Sequence, residues 1–273
     1  DVIHPIVSGN KWRKLKYNIE QYKASSFNSI VSMGGAYSSH ILSLSYVCFQ
    51  LKIPCKILIR GERPKVLNKI LLDCKKYGSE LLFIQRKQYA DKRWVKTFVN
   101  GKFTDFMFVP EGAANKMGID GCSDIVKEIL EDFDEIYCEV GTGATLSGIS
   151  QEIKADQKVI GIVVLKGAEN ISNQINQNYY NVKQNYLRSN WELDHRYHLG
   201  GYAKMNKKLI CFMKDLYNQT GLMTDPIYSG KLFYGLVENL KHLTTSKKII
   251  ALHSGGLSGI EGFEKRYGIE IFN

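Results

Sequence analysis

Glu135-Ile-Tyr-Cys-Glu-Val-Gly-Thr-Gly-Ala-Thr-Leu-Ser-Gly148 decides how this chain folds. Its first six residues read as a buried strand, the glycines as a loop, and the part from Ala144 onward as a helix. A strand feeding a helix through a glycine-rich loop is the repeating unit of parallel α/β sheets. Glycines let backbone N–H groups converge on an anion, here helped by the hydroxyls of Thr142 and Thr145 and by the positive end of the helix. The loop reads as a phosphate cup, with a plain glycine turn as the alternative. A nucleotide P-loop would close on Gly-Lys-Ser/Thr, which is absent. A dinucleotide fingerprint would need Gly-x-Gly-x-x-Gly and an acid ending the next strand, which here ends Leu165-Lys166.

The same alternation runs outward in both directions. Apolar, β-rich runs predict strands over 29–33, 55–60, 80–84, 106–110, 135–140, 158–165 and 248–253. Helical patterns fall at 38–50, 65–77, 89–100, 121–132, 144–154, 206–219, 231–242 and 258–267. The class is α/β, with parallel sheets buried on both faces. Two lobes are expected, a small one over 14–119 and a large one made of 1–13 with 120–273, with a site at the carboxyl ends of the strands between them. The Asn/Gln/Tyr-rich stretch 170–190 shows no clear period and is left open.

Composition narrows the class of function. The net charge of +10 is spread along the chain rather than gathered into a stripe interleaved with aromatics, which argues against nucleic acid and for an anionic cofactor or substrate. No apolar run reaches the length of a membrane span. The six cysteines form no C-x-x-C pair and have no histidine cluster beside them, which points away from zinc and disulfides and towards a reducing cytoplasm. The first residues resemble neither a signal nor a transit segment, and with no initiator Met the chain is expected to be processed or truncated.

Ser8-Gly-Asn-Lys-Trp-Arg-Lys-Leu15 places a lysine just behind a flexible loop. Ser8 or Asn10 can cap a helix that starts near Lys11 and carries Leu15, Tyr17 and Ile19. The positive helix end, with Arg13 and Lys14 beside it, would lower the pKa of Lys11 towards that of an imine-forming amine. Met33-Gly-Gly-Ala-Tyr-Ser-Ser-His40 is a second strand-to-helix loop, expected to be capped by Ser38 and Ser39 and suited to a carboxylate, with an ordinary β-α turn as the alternative; His40 reads as a packing residue. Thr224-Asp-Pro-Ile-Tyr-Ser-Gly-Lys231 is a braced turn into another helix, exposing Tyr228 and Ser229. Gly200-Gly-Tyr202 and His253-Ser-Gly-Gly-Leu257 complete the glycine-rich strand ends.

In wording and order these segments, with Pro110-Glu-Gly-Ala-Ala-Asn115, resemble the fold type II pyridoxal-phosphate (PLP) enzymes. More narrowly they resemble the 1-aminocyclopropane-1-carboxylate deaminase / D-cysteine desulfhydrase family. The resemblance covers nearly the whole chain and implies the two-lobed, three-layer α/β/α architecture of the tryptophan synthase β type. Family chains begin earlier, with an acidic pair of which Asp1 is read as the remnant. By this resemblance Lys11 matches the lysine that binds the cofactor aldehyde and moves the α-proton. Lys14 matches a phosphate-binding lysine, working with Thr142, Gly143, Ala144 and Thr145. Ser38 matches the serine by the substrate carboxylate, Tyr228 and Tyr202 the two tyrosines facing the substrate. Ser229 falls where the pyridine nitrogen has its partner. The family has Asn for hydrogen bonding to the cofactor 3-hydroxyl where this chain has Ser39.

Cyclopropane deaminases carry Glu at the place of Ser229. A carboxylate keeps the ring nitrogen protonated; a neutral hydroxyl makes a weaker electron sink, suited to β-elimination. The expectation is therefore a PLP-dependent lyase resembling D-cysteine desulfhydrase, acting on a small amino acid to give pyruvate, ammonia and sulfide. The alternatives are cyclopropane-carboxylate deamination and, from another class, a PLP-binding protein of weak or no turnover, which Ser39 would favour. The resemblance also implies a homodimer.

Overall fold

The structure, a computed structural model, describes residues 4–272, so Asp1 lies outside it. In chain order the elements are α1 (Asn10–Lys23), β1 (Ser29–Gly35), α2 (Ser39–Gln50), β2 (Cys55–Arg60), α3 (Lys69–Lys76), β3 (Glu80–Ile84), α4 (Arg86–Ala90), α5 (Lys92–Lys102) and β4 (Phe106–Val109). They continue with α6 (Lys116–Lys127), β5 (Glu135–Val140), α7 (Ala144–Glu152), β6 (Lys158–Val163), α8 (Ile171–Lys183) and β7 (Trp191–Asp194). The last are α9 (Lys207–Thr220), α10 (Ser229–Leu240), β8 (Ile249–Ala251) and α11 (Ile260–Tyr267).

Two four-stranded sheets result, ordered β3-β2-β1-β4 and β7-β6-β5-β8, with every pairing parallel. Alternation along the strands covers both faces of each. In the first sheet Ile57 and Ile59 join Leu15, Ile41 and Ile70 on one side, while Val31 and Leu58 meet Tyr89, Val95 and Val99 on the other. In the second, Ile136, Cys138 and Val140 pack on Leu146, Ile149 and Ile175, and Tyr137, Ile160 and Ile162 pack on Leu232 and Leu236. Each sheet is thus the middle of an α/β/α sandwich, as the continuous apolar strands predict. Among the described residues no helix is long and apolar enough to cross a membrane, the cysteines are free thiols, and no group of His, Cys, Asp or Glu could hold a metal.

Several boundaries differ from the sequence expectation for identifiable reasons. Asn68 caps α3 by accepting from Leu71 N at 3.0 Å, so the helix begins four residues later than its pattern. Asp91 accepts from Arg93 N and Trp94 N at 2.9 and 3.1 Å, splitting the expected 89–100 helix into α4 and α5. Helix α6 starts at Lys116, capped by Asn115, and runs straight through Gly118 and Gly121. Those glycines are not breakers but contact points: a Cβ on Gly121 would lie 1.9 Å from the Arg13 carbonyl oxygen, so α6 presses backbone to backbone on α1. The open stretch 170–190 holds α8, whose buried Ile171, Ile175 and Tyr179 do recur at a helical spacing of four, and β7 follows it.

Candidate active site

The carboxyl ends of β1, β2, β5, β6 and β8 and the start of α1 supply the site. Lys11 is the second residue of α1. Its cap is Gly9 rather than Ser8 or Asn10, because Gly9 takes φ 59° and a Cβ there would lie 2.2 Å from the Ser254 carbonyl oxygen. That close approach fastens the amino end of α1 to the loop after β8. The Lys11 ammonium reaches the Asn10 side-chain oxygen and lies 3.5 Å from Ser254 O. Its pKa falls to about 8, chiefly through enclosure and secondly through the charge of Lys14, with Glu139 and Asp225 opposing both. Arg13, invoked from sequence, takes no part: it pairs with Glu128 on the outer side of the helix.

Asn10 ties this lysine to the glycine–threonine loop. Its amide donates to Thr145 Oγ1 at 3.1 Å and to Glu139 Oε1 at 3.3 Å. Gly143 caps α7 at φ 82°, a left-handed conformation, and a Cβ there would lie 2.3 Å from Ile175 Cγ1. Only glycine fits, so the backbone of Gly143, Ala144 and Thr145 is free to present its N–H groups, as the first turn of a helix must. Thr142 packs on Gly112 at the rim. Lys14, only 7% exposed, makes no hydrogen bond or ion pair through its ammonium among the described residues. A buried cation without a protein anion calls for one from outside.

Ser38 and Ser39 stand where the sequence reading puts them, at the amino end of α2, but neither hydroxyl caps the helix. Neither hydroxyl has a hydrogen-bond partner among the described residues, and Ser38 lies beside Gly34. His40 is buried, bonds through Nε2 to Ser32 Oγ at 3.0 Å, and burial pulls its pKa down to about 3, so it is a neutral packing residue. Tyr202 and Tyr228 face each other edge to face, ring centroids 6.1 Å apart. Burial raises both phenols, Tyr202 to about 12 with Arg60 opposing the rise, and Tyr228 well above its ordinary value.

Ser229 opens α10 instead of lying in the turn before it. Its Oγ donates to Asp225 Oδ2 at 2.7 Å and accepts from Asp225 N at 2.8 Å. Asp225 also accepts from Ile227 N, Tyr228 N and Ser229 N, so this buried carboxylate holds the whole turn.

The pyridoxal-phosphate dependent enzyme family matches residues 2–255. This chain belongs to that family. Enzymes named for 1-aminocyclopropane-1-carboxylate are among its relatives. A Thermotoga maritima protein provisionally named as that deaminase is 28% identical over 97% of this chain and 89% of its own length. The Arabidopsis thaliana mitochondrial bifunctional D-cysteine desulfhydrase/1-aminocyclopropane-1-carboxylate deaminase is 24% identical over 93% of this chain and 70% of its own. A crystal structure of an ACC deaminase homologue superposes with TM-score 0.76 at 24% identity, covering 92% of this chain and 81% of that one. The Rhizomucor miehei L-serine ammonia-lyase does so at 0.65 and 16%, covering 97% and 90%. The fold of this PLP-dependent enzyme is therefore fold type II.

The residues fit the cofactor. A lone buried Lys14, the open α7 amino end and the forced glycine at 143 suit a phosphate, and an amine of lowered pKa suits an aldehyde. Sequence reasoning missed Asn10, Glu139, Asp225 and Lys231. Asp225 was legible as Asp-Pro before a helix, a turn-and-cap signal. Lys231 is 0% exposed and donates to Val164 O at 3.1 Å and Gly201 O at 2.7 Å, so it joins the Tyr202 loop to the helix of Ser229. Nothing in its spacing marks it as buried.

Proposed function

We propose that this PLP-dependent enzyme is a lyase acting by β-elimination on a small amino acid, D-cysteine being the first choice. The observation that carries the reading is the partner of Ser229. A carboxylate acts there only through the hydroxyl, from Asp225 Oδ2 at 2.7 Å, whereas a glutamate at that position would act directly. A carboxylate one hydrogen bond removed makes the weaker electron sink, which suits expulsion of a leaving group better than opening of a carbon ring.

When bound, the cofactor would supply the conjugated ring that takes up the charge left on the substrate α-carbon. Lys11 would hold its aldehyde, Lys14, Thr142, Gly143, Ala144 and Thr145 its phosphate, Ser229 its ring nitrogen and Ser39 its 3-hydroxyl. Ser38 and the free N–H groups at the start of α2 orient the substrate carboxylate. Lys11 Nζ, with a pKa of about 8, is neutral in a useful fraction of molecules and removes the α-proton. Tyr228 and Tyr202, both held protonated by burial, position the side chain and can donate to the departing thiolate. Lys231 and Asp225 keep the two tyrosines in register.

The proposed lobes are 14–119 and 1–13 with 120–273, which the separation into two sheets supports, and the assembly is proposed as a homodimer. The test is product analysis of the holoenzyme with D-cysteine, L-cysteine and 1-aminocyclopropane-1-carboxylate. Sulfide and pyruvate from D-cysteine are expected. Production of 2-oxobutyrate from the cyclopropane, without sulfide from either cysteine, would replace this reading with ring opening.

A further inference from the structure

Arg60 ends β2 opposite Gly35, the last residue of β1. Its guanidinium carbon is 5.9 Å from the Tyr89 ring centroid and 5.6 Å from that of Tyr202, so it is held between one aromatic ring from each sheet's half of the molecule. An arginine placed by two rings is oriented through its faces, while its in-plane N–H groups stay available as a fork for a planar anion. Those donors have no hydrogen bond or ion pair among the described residues. The Tyr89 hydroxyl beside it is buried and has Glu111 as its polar neighbour, without a well-formed hydrogen bond among the described residues.

A line of contacts leads from the phosphate cup to this guanidinium. A Cβ on Gly141 would lie 3.7 Å from Tyr228 Cε1, Tyr228 meets Tyr202, and a Cβ on Gly35 would lie 3.6 Å from both Arg60 Nη2 and Tyr202 Oη. Gly35 also leads into the loop of Ser38. Arg60 therefore stands past the tyrosine pair, where the far end of a substrate side chain would come if Ser38 holds its α-carboxylate. A second cationic side chain is near: Arg86 Nε lies against Gly61, the residue after Arg60, and makes no ion pair among the described residues. Glu111 is the carboxyl that feels Arg60. Burial pushes Glu111 towards its neutral form, and it makes no ion pair with the guanidinium.

The geometry points to Arg60 as a specificity-determining residue that takes a second anionic group at the end of the substrate side chain, so that amino acids with a negatively charged β-substituent are accepted beside cysteine, whose departing thiolate carries the same sign of charge. This rests on the lyase reading and names its substrate class. With O-phosphoserine, Lys11 would remove the α-proton, the Cβ–O bond would break with its electron pair leaving on phosphate, and water would convert the released aminoacrylate to pyruvate and ammonium.

The experiment has two arms on the holoenzyme, with Arg60→Gln and Arg60→Lys alongside the wild type. Calorimetry compares succinate with butyrate, which differ in the second carboxylate. The expected result is at least about tenfold tighter binding of succinate to the wild type, the scale of one charge-assisted fork, lost in Arg60→Gln and partly kept in Arg60→Lys. Equal affinities in the wild type, or a preference that survives Arg60→Gln, would overturn the assignment. Pyruvate release from O-phosphoserine and β-chloroalanine, each enantiomer, gives the second arm. The kcat/KM ratio of the charged to the neutral substrate should fall about tenfold or more in Arg60→Gln. No pyruvate from any of them or from D-cysteine would sink the lyase reading, while the calorimetry would still decide Arg60.

Discussion

Lys11 should capture pyridoxal phosphate with a pH dependence that breaks near 8 rather than rising to 10.5. Only the neutral amine attacks the aldehyde, so the capture rate follows the neutral fraction. With the pKa at about 8, raising the pH from 8 to 9.5 should speed capture only about twofold, because half the amine is already neutral at the start. An unperturbed lysine would give about a thirtyfold rise over the same interval. The assay strips the cofactor, mixes the apoprotein with pyridoxal phosphate at each pH, and follows the visible absorbance, with borohydride trapping and mass analysis to locate the adduct. Neighbouring charges supply the control. Glu139 raises the pKa of Lys11, so Glu139→Gln should move the break to lower pH; Lys14 lowers it, so Lys14→Met should move the break up. A tenfold rise per pH unit continuing through pH 9.5 would show that enclosure does not tune this amine.

Lys11→Ala should abolish the visible band of the bound cofactor, and a band unchanged in position and intensity would assign the covalent link elsewhere. Gly143→Ala should lower stability by about 2 kcal/mol or more, since it combines a left-handed backbone with overpacking on Ile175, and should hasten cofactor loss; thermal melts and filtration read the two effects. Lys231 has its folded pKa lowered to about 8 from 10.5, so between roughly pH 8 and 10 the unfolded chain carries a proton that the folded one lacks. Its share of stability therefore rises with pH over that window, and Lys231→Met should flatten the slope in denaturant titrations; an unaltered slope would mean that the amine stays charged when folded.

Much of the architecture was legible because it obeys local rules. Continuous apolar runs such as 159–163 announce burial on both faces, and the period of the helices between the strands implies parallel order. The start of α9 was legible to within one residue, Asn206 proving to be its cap, while the cap of α1 at Gly9 was illegible because the deciding contact is with Ser254, far along the chain. Gly118 and Gly121 misled the placement of α6, since a glycine that admits another helix looks in sequence like one that ends its own. The stretch 170–190 hid α8 because its three buried positions stand among Asn and Gln that carry no contrast.

Sequence alone determined that this chain builds α/β layers and that its glycine–threonine loop opens a helix, because strand period, glycine freedom and helix polarity act over a few residues. Tertiary structure alone decided which charges surround Lys11. One helix sends Lys14 inward and Arg13 out to Glu128, since successive side chains diverge around its axis. It also brought Asn10 to Thr145, and Arg60 between Tyr89 and Tyr202. Electrostatic and packing energies depend on distance in space, which separation along the chain does not encode.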